Sequence, residues 1–398
     1  MVSSVRTKER APFNRDVLRW ARERVRLSLE GAAKGAGVTP SHIQNWETGS
    51  VIPTIKQARK LAEVYDLPFL EFLSKERPKV KSLELVPDFR MERETEEPTE
   101  QYDLVLIQSE AEEVRLNAID LFEMAGSQPP VLPETFYADT KQKADVVAAS
   151  VREAVGLPIS EQFSRRANDR DKFVAAFRNY LERSGIIVMK NSGLANFGAR
   201  GMCLFASPLP VIIFSNEAPT AQAFTLAHEL AHVVLQESAI SGPIRTSSAK
   251  ARAKTIENWC DTFAGAFLMP AAEVEGVLGP KPAKPENSMD DGRISRIANA
   301  FCVSRHAALV RLIELGYVME DFYWKVMRPR YLEQEAAFKS GGRPKYYGSR
   351  FRSSRGDLYT GLVLEAWSNG AITNHSAGEF MGIKNLAHLE DIRNHFRD

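Results

Sequence analysis

The chain has 398 residues, 44% of them hydrophobic and 26% charged, with a formal net charge of +1. That profile fits an ordinary folded protein of two to three domains, with no overall drive toward nucleic acid or an anionic membrane. No apolar run approaches the ~20 residues that cross a bilayer, and the few scattered cysteines (Cys203, Cys260, Cys302) imply no disulfide framework. Met1 to Lys8 lacks the apolar stretch of a signal peptide, so a cytoplasmic protein without membrane contact is expected.

Residues 1–80 carry about six more basic than acidic side chains and read as a series of short helices. Val17, Leu18, Ala21 and Val25 form one helical stripe, and Leu29, Ala32, Ala33 and Ala36 form another that stops at Gly37. Thr39 can cap a helix carrying Ile43 and Trp46, ended by Gly49, and Pro53-Thr54 starts the next. Gly37-Val38-Thr39 separates two helices as a helix-turn-helix requires. Leu27-Ser28 through Trp46-Glu47-Thr48-Gly49, with Pro53-Thr54, resembles the Xre-type helix-turn-helix of phage repressors. The resemblance implies DNA binding, with Pro40, Ser41, His42 and Gln44 turned toward a major groove. Two departures stand out. Leu29 replaces the glutamine that usually opens the second helix, and the would-be recognition helix has no Arg or Lys. Arg19, Arg22, Arg24 and Arg26 on the first helix are the basic side chains left to hold phosphates or to form a solvated face.

Residues 81–140 read as a linker and helical connector. The acidic, Pro-containing stretch from Glu92 to Glu100 marks a boundary, and a helix runs from Leu104 to Ala125. Further helices are expected over Asp145 to Leu157 and Arg170 to Ser184. Strands are expected at Gly185–Met189, Gly201–Ala206 and Pro210–Ser215. They make a small antiparallel sheet, whose edge could pair with an extended substrate backbone.

His228-Glu229-Leu230-Ala231-His232 follows, inside an apolar run. On a helix, residues four apart share a face, so both imidazoles can grip one Zn²⁺, with Glu229 beside it to take a proton from water. Downstream, Ile256 to Met269-Pro270 reads as a second apolar helix, stopped by proline. Glu257 and Asp261 lie four apart on it, which suits a metal-binding carboxylate with a second one holding a ligand histidine. Glu257 is favoured as third ligand because two His and one Glu are the usual set for this motif, leaving one position open. Cys260 is the competitor, since sulfur binds Zn²⁺ well, and Asp261 is a lesser option.

Arg200-Gly201-Met202 and its strands, Phe224 to His232, Glu257 to Met269-Pro270, and the helix reaching Arg311-Leu312-Ile313-Glu314-Leu315-Gly316 together resemble the ImmA/IrrE metalloendopeptidases, in particular members carrying an N-terminal Xre-type domain. The resemblance implies a gluzincin-like core over residues 141–320, with His228, His232 and Glu257 on zinc and Glu229 as general base. It also implies a protein substrate, commonly a repressor or antitoxin whose cleavage changes transcription or a stress response. The oxyanion donor is not evident, with His306 and several tyrosines as candidates. A homodimer is an option. The rival class is a DNA-binding regulator or antitoxin component whose peptidase-like domain acts mainly as a scaffold.

Residues 321–398 form a C-terminal helical extension. It contains Gly341 to Lys345, an aromatic and basic patch (Tyr346, Tyr347, Arg350, Phe351, Arg352, Arg355) read as solvated surface, and then two helices. His375, His388 and His395 lack ligand spacing and are expected to be exposed. The fold class is therefore α+β: an all-α helix-turn-helix domain, a mainly helical zincin-like domain with a small antiparallel sheet, and a small helical C-terminal unit.

Overall fold

Helices end where their unpaired amides and carbonyls find other partners, and these ends shape the N-terminal region of the computed structural model. The structure describes residues 12–76, 78, 98–241, 251–336, 346–383 and 385–397. These fall into two compact units, one built on residues up to Glu110 and one on residues from Ala111 onward.

In the first unit α1 (Arg15–Arg24) is capped by Asn14, α2 (Leu29–Ala36) by Ser28, and α4 (Ile55–Val64) by a Thr54/Gln57 capping box. Gly37 and Gly49, both at positive φ, close α2 and α3 (Pro40–Thr48), as αL caps do. The stripes anticipated from periodicity pack together: Val17, Leu18, Ala33, Ile43, Trp46 and Leu61 are buried in one cluster with Phe72. Two of the four arginines expected on the first helix are spent inside the fold, whereas Arg19 stays half-exposed and Arg26 lies exposed beyond the end of α1. Arg22 forks onto Glu47 at 2.7 and 2.9 Å, and Arg24 donates to the carbonyls of Tyr65 and Asp66. Buried and paired, these two are not a phosphate-holding face.

The start of the expected acidic linker, Glu92 to Glu97, lies outside the described residues, and Pro98 to Glu100 already belong to α5 (Pro98–Met124). After α5 come α6 (Ala144–Val155), the short α7 (Ser160–Phe163) and α8 (Arg170–Arg183). Strands β1 (Ile187–Lys190), β2 (Gly201–Leu204), β3 (Val211–Phe214) and β4 (Ala239–Ser241) form one sheet in the order β1-β3-β2-β4. The expected antiparallel sheet is mixed: β3 pairs antiparallel with β2 but parallel with β1, and β4 adds an edge not foreseen. A short apolar run fixes a strand but carries no record of its neighbour's direction, and a three-residue strand is too brief to show a period.

The motif helix α9 (Pro219–Val234) lies against β2 and β3, and α10 (Ala251–Leu268) packs along it. Both contribute to one core with α6, α8 and the sheet, through Phe177, Leu226, Phe263 and Phe267. Three buried side chains catch the carbonyls at the C-terminal end of α10. Arg152 donates to Phe267 O at 2.6 Å, Gln162 to Leu268 O at 3.0 Å, and Arg311 to Met269 O at 3.2 Å. Satisfying these orphan acceptors fixes the axis that carries Glu257.

Next are α11 (Ala271–Leu278), α12 (Asp291–Ala300), α13 (Arg305–Glu314), the short α14 (Glu320–Phe322) and α15 (Arg328–Ala336). The C-terminal region holds α16 (Tyr347–Arg355), α17 (Asp357–Ser368), α18 (Asn374–Phe380) and α19 (Ala387–Arg397), where two helices were expected. Gly341 to Lys345 lies outside the described residues. The aromatic and basic patch is only partly interior: Tyr346 and Arg350 are exposed as expected, Tyr347, Arg352 and Arg355 are half-buried, and Phe351 packs inside. Tyr347 stacks on His388 at 3.9 Å, Phe351 is buried, and Arg352 forks onto Asp357 at 2.6 and 2.9 Å. His388 and His395 are correspondingly half-buried, the latter against Tyr346, while His375 is exposed as expected.

A buried polar joint ties these helices to α8 and β1. Glu182 accepts from Arg178 at 3.2 Å and from the first amides of α17, Asp357 and Leu358, at 2.8 and 3.1 Å. Arg178 also donates to Ser353 O at 2.5 Å and to Val188 O. Gly356, at φ 88°, leaves no room for a Cβ beside Glu182. Burial pushes the Glu182 carboxyl up to about 7 against the pull of Arg178.

Candidate functional site

The N-terminal end of α9 is set by Glu217. Its carboxylate accepts from Thr225 Oγ1 at 3.0 Å and pairs with Arg200 at 3.1 Å, tying the helix to the start of β2. Two turns later the helical repeat brings His228 and His232 to one face, ring centroids 5.1 Å apart. Both are buried, His232 completely. From α10, Glu257 reaches both rings, Oε2 lying 3.3 Å from His228 Nε2 and Oε1 3.2 Å from His232 Nε2. Asp261, one turn on, accepts from His228 Nδ1 at 2.9 Å. That contact orients the His228 ring and turns its Nε2 toward the Glu257 carboxylate.

His228 Nε2, Glu257 Oε1 and both oxygens of Glu229 are buried without a hydrogen-bond partner. Orphaned buried atoms of this kind are uncommon in a folded protein and point to a group that completes them. Cys260 offers a second grouping, since donor atoms of His228, His232 and Cys260 all lie within 4.8 Å of one another. Its sulfur, however, faces His232 Nδ1 at 3.8 Å, away from the Nε2 side where Glu257 joins the two rings. The donor chemistry thus fits a divalent ion on the two Nε2 atoms and Glu257 better than one drawn to sulfur.

The electrostatics follow from burial and proximity. Burial works against a His228 cation, yet Glu257 and Asp261 outweigh it and hold its pKa well above the ordinary value. For Glu257 burial raises the pKa, but the two imidazoles overcome that and bring it down to about 2. His232 is lowered, chiefly by burial. Burial pushes Glu229 up to about 8, against the pull of the His228 ring and the Ser241 hydroxyl. Its carboxylate lies flat against Gly201 of β2, where any Cβ would overlap it. Ser241 of β4 approaches His232 Nε2 at 3.3 Å.

The structure brings together every peptidase-site residue expected from sequence: His228, Glu229, His232, Glu257 and Asp261. It adds Gly201 and Ser241, which meet Glu229 and His232 from strands packed against α9, contacts that no linear spacing records. Gly201 had a signal in the Arg200-Gly201 pair, but a glycine in a strand says only that something comes close. His306 accepts no clear oxyanion role, as its Nε2 meets Tyr323 OH at 2.5 Å. On α3, Pro40, Ser41, His42 and Gln44 are exposed as expected, and so is Asn45, which was not singled out. Ser41 and His42 are partly occupied by Thr39 Oγ1, at 2.8 and 2.7 Å.

Residues 18–72 match the family profile described as Helix-turn-helix, and residues 181–312 match that of the IrrE N-terminal-like domain, a peptidase family. The second span contains all five clustered residues. A search of curated proteins finds no match to this chain. No helix among the described residues is long and apolar enough to cross a membrane. With each profile falling on its own set of elements, the chain joins an Xre-type helix-turn-helix domain to an IrrE N-terminal-like domain of a metallopeptidase family.

Proposed function

We propose that the chain is a zinc-dependent endopeptidase, fused to a DNA-binding domain, that cleaves a partner protein such as a repressor or antitoxin. One observation carries the reading: two buried imidazoles and the Glu257 carboxylate converge beside a second buried carboxylate, Glu229, with no hydrogen-bond partner. His228, His232 and Glu257 would hold the metal, and Asp261 fixes the His228 ring through Nδ1. A bound divalent ion supplies Lewis-acid polarisation of a carbonyl and lowers the pKa of water. Glu229 is the general base. One of its oxygens takes a proton from the attacking water and returns it to the leaving amine nitrogen. Gly201 behind it and the apolar wall of α9 keep bulk water from competing for that carboxylate. The free side of β4, which pairs only with β2 among the described strands, is where an extended substrate backbone would lie.

Glu229→Gln removes the proton acceptor without touching the ligand set. The expected outcome is loss of cleavage of a neighbouring gene product, by ~10²-fold or more, with metal content unchanged by elemental analysis. Wild-type cleavage by this variant would remove Glu229 from the mechanism. A chain that takes up no metal would remove the peptidase reading.

A further inference from the structure

Beside the candidate metal centre, α9, α10, α13 and the start of α15 enclose a cavity of about 370 Å³. This is within the range of sites that take a defined ligand group. Asp261, which orients His228, forms part of its wall, so the cavity adjoins the centre rather than lying elsewhere on the surface. The charged groups around it are nearly all committed. Arg200 pairs with Glu217 at 3.1 Å. Arg311 is shared among Met269 O, Glu314 at 3.1 Å and Asp145 at 2.5 Å. His306 is bonded to Tyr323. Glu314 is a weak anion, because burial pushes its carboxyl up to about 7.

Arg328 is different. Its guanidinium lies 5.1 Å from the Trp324 ring centroid, and Trp324 is itself held by Glu320 at 2.8 Å. Among the described residues Arg328 has no carboxylate within ion-pair distance. A half-buried guanidinium, steadied on an indole and lacking a counter-ion, offers a preset planar fork to a carboxylate.

We propose that this cavity is a substrate subsite beside the scissile bond that takes an acidic side chain, with Arg328 reading its charge. The inference rests on the peptidase reading above and narrows its substrates to chains with Asp or Glu next to the cleaved bond. Phe224, one turn before His228, and the stem of Arg328 give apolar contact to the methylenes of such a side chain.

The test uses the full chain carrying Glu229→Gln, with Zn²⁺ added, so that peptides bind without turnover. The probes are fluorescein-labelled Ala/Gly octapeptides carrying one Glu, Gln or Lys at each position in turn, and the readout is fluorescence anisotropy. Glu at one position should bind about tenfold tighter than Gln, with the gap narrowing as salt is raised. Adding Arg328→Gln should abolish the gap, and Arg328→Glu should reverse it in favour of Lys. Equal binding of Glu and Gln peptides, or a preference untouched by Arg328→Glu, overturns the subsite. The same peptides are offered to the chain with Glu229 intact and Zn²⁺ added. Cleavage without charge preference sinks the subsite alone, whereas charge-dependent binding without cleavage sinks the peptidase reading and leaves Arg328 marking an acidic-peptide site that is no cleavage subsite.

Discussion

At the scale of single residues, the site depends as much on a missing side chain as on those present. Gly201→Ala places a methyl group where the Glu229 carboxylate now rests. The carboxylate must swing away, since β2 is held between β3 and β4 and cannot retreat. A displacement near 1 Å at a reacting group costs on the order of 10²-fold in rate. We therefore expect Gly201→Ala to lower kcat by about that factor while metal stoichiometry stays that of the unmutated chain. Unchanged turnover would show that the wall does not position the base. The five clustered residues were legible in the sequence because helical spacing alone puts i and i+4 on one face. Gly201 and Ser241 were not, because their partners lie on a helix packed against the sheet, and the sequence leaves that packing unstated. Arg22 and Arg24 mislead for a related reason. A basic residue looks the same in a sequence whether it faces a phosphate or a buried Glu47.

At the scale of elements, the helices of the core and their order were readable from apolar periodicity, and what they do at their ends was not. The C-terminus of α10 is completed by Arg152, Gln162 and Arg311, each far away in sequence. Nothing in the repeat of apolar residues announces such long-range caps. The N-terminus of α17 is a comparable case, completed by Glu182. An ordinary carboxyl near 4.5 in the unfolded chain becomes one of about 7 in the fold. Between these values the folded chain keeps a proton that the unfolded chain releases, so stability falls as pH rises through that window. Glu182→Gln keeps the amide contacts to a first approximation and removes the titration. From pH 5 to pH 8 the variant should gain about 2–3 kcal/mol relative to the parent chain in urea unfolding. A difference that stays constant across that pH range would show that Glu182 titrates normally in the folded state.

At the scale of the whole molecule, two family profiles fall on separate spans, and the residues proposed for each activity share no element. The two activities should therefore be separable. Gln44→Ala with Asn45→Ala, both exposed on α3, should weaken binding to DNA from upstream of the chain's own gene by about 1–3 kcal/mol for each base edge left unread. Peptide cleavage should persist in that variant, and Glu229→Gln should shift DNA mobility as the parent does. Equal mobility shifts by the parent and the α3 variant would take α3 out of DNA recognition. The division into a helix-turn-helix and a peptidase-like region was visible from motifs alone. The burial of Phe351 within the otherwise surface-facing C-terminal patch was not, since an aromatic residue in a basic stretch looks the same whichever way it faces.

The joint at Glu182, Arg178 and Gly356 bears on how the peptidase-like region can be handled in isolation. A fragment trimmed to the matched span would keep Glu182 but lose Arg178 and the amides of Asp357 and Leu358, the groups that now satisfy this buried carboxyl. It would also uncover the flank of β1 that α16 now shields. An exposed strand beside an unpartnered carboxyl invites chain-to-chain sticking, so the last helices are better regarded as sealant for the peptidase-like region than as cargo attached to it.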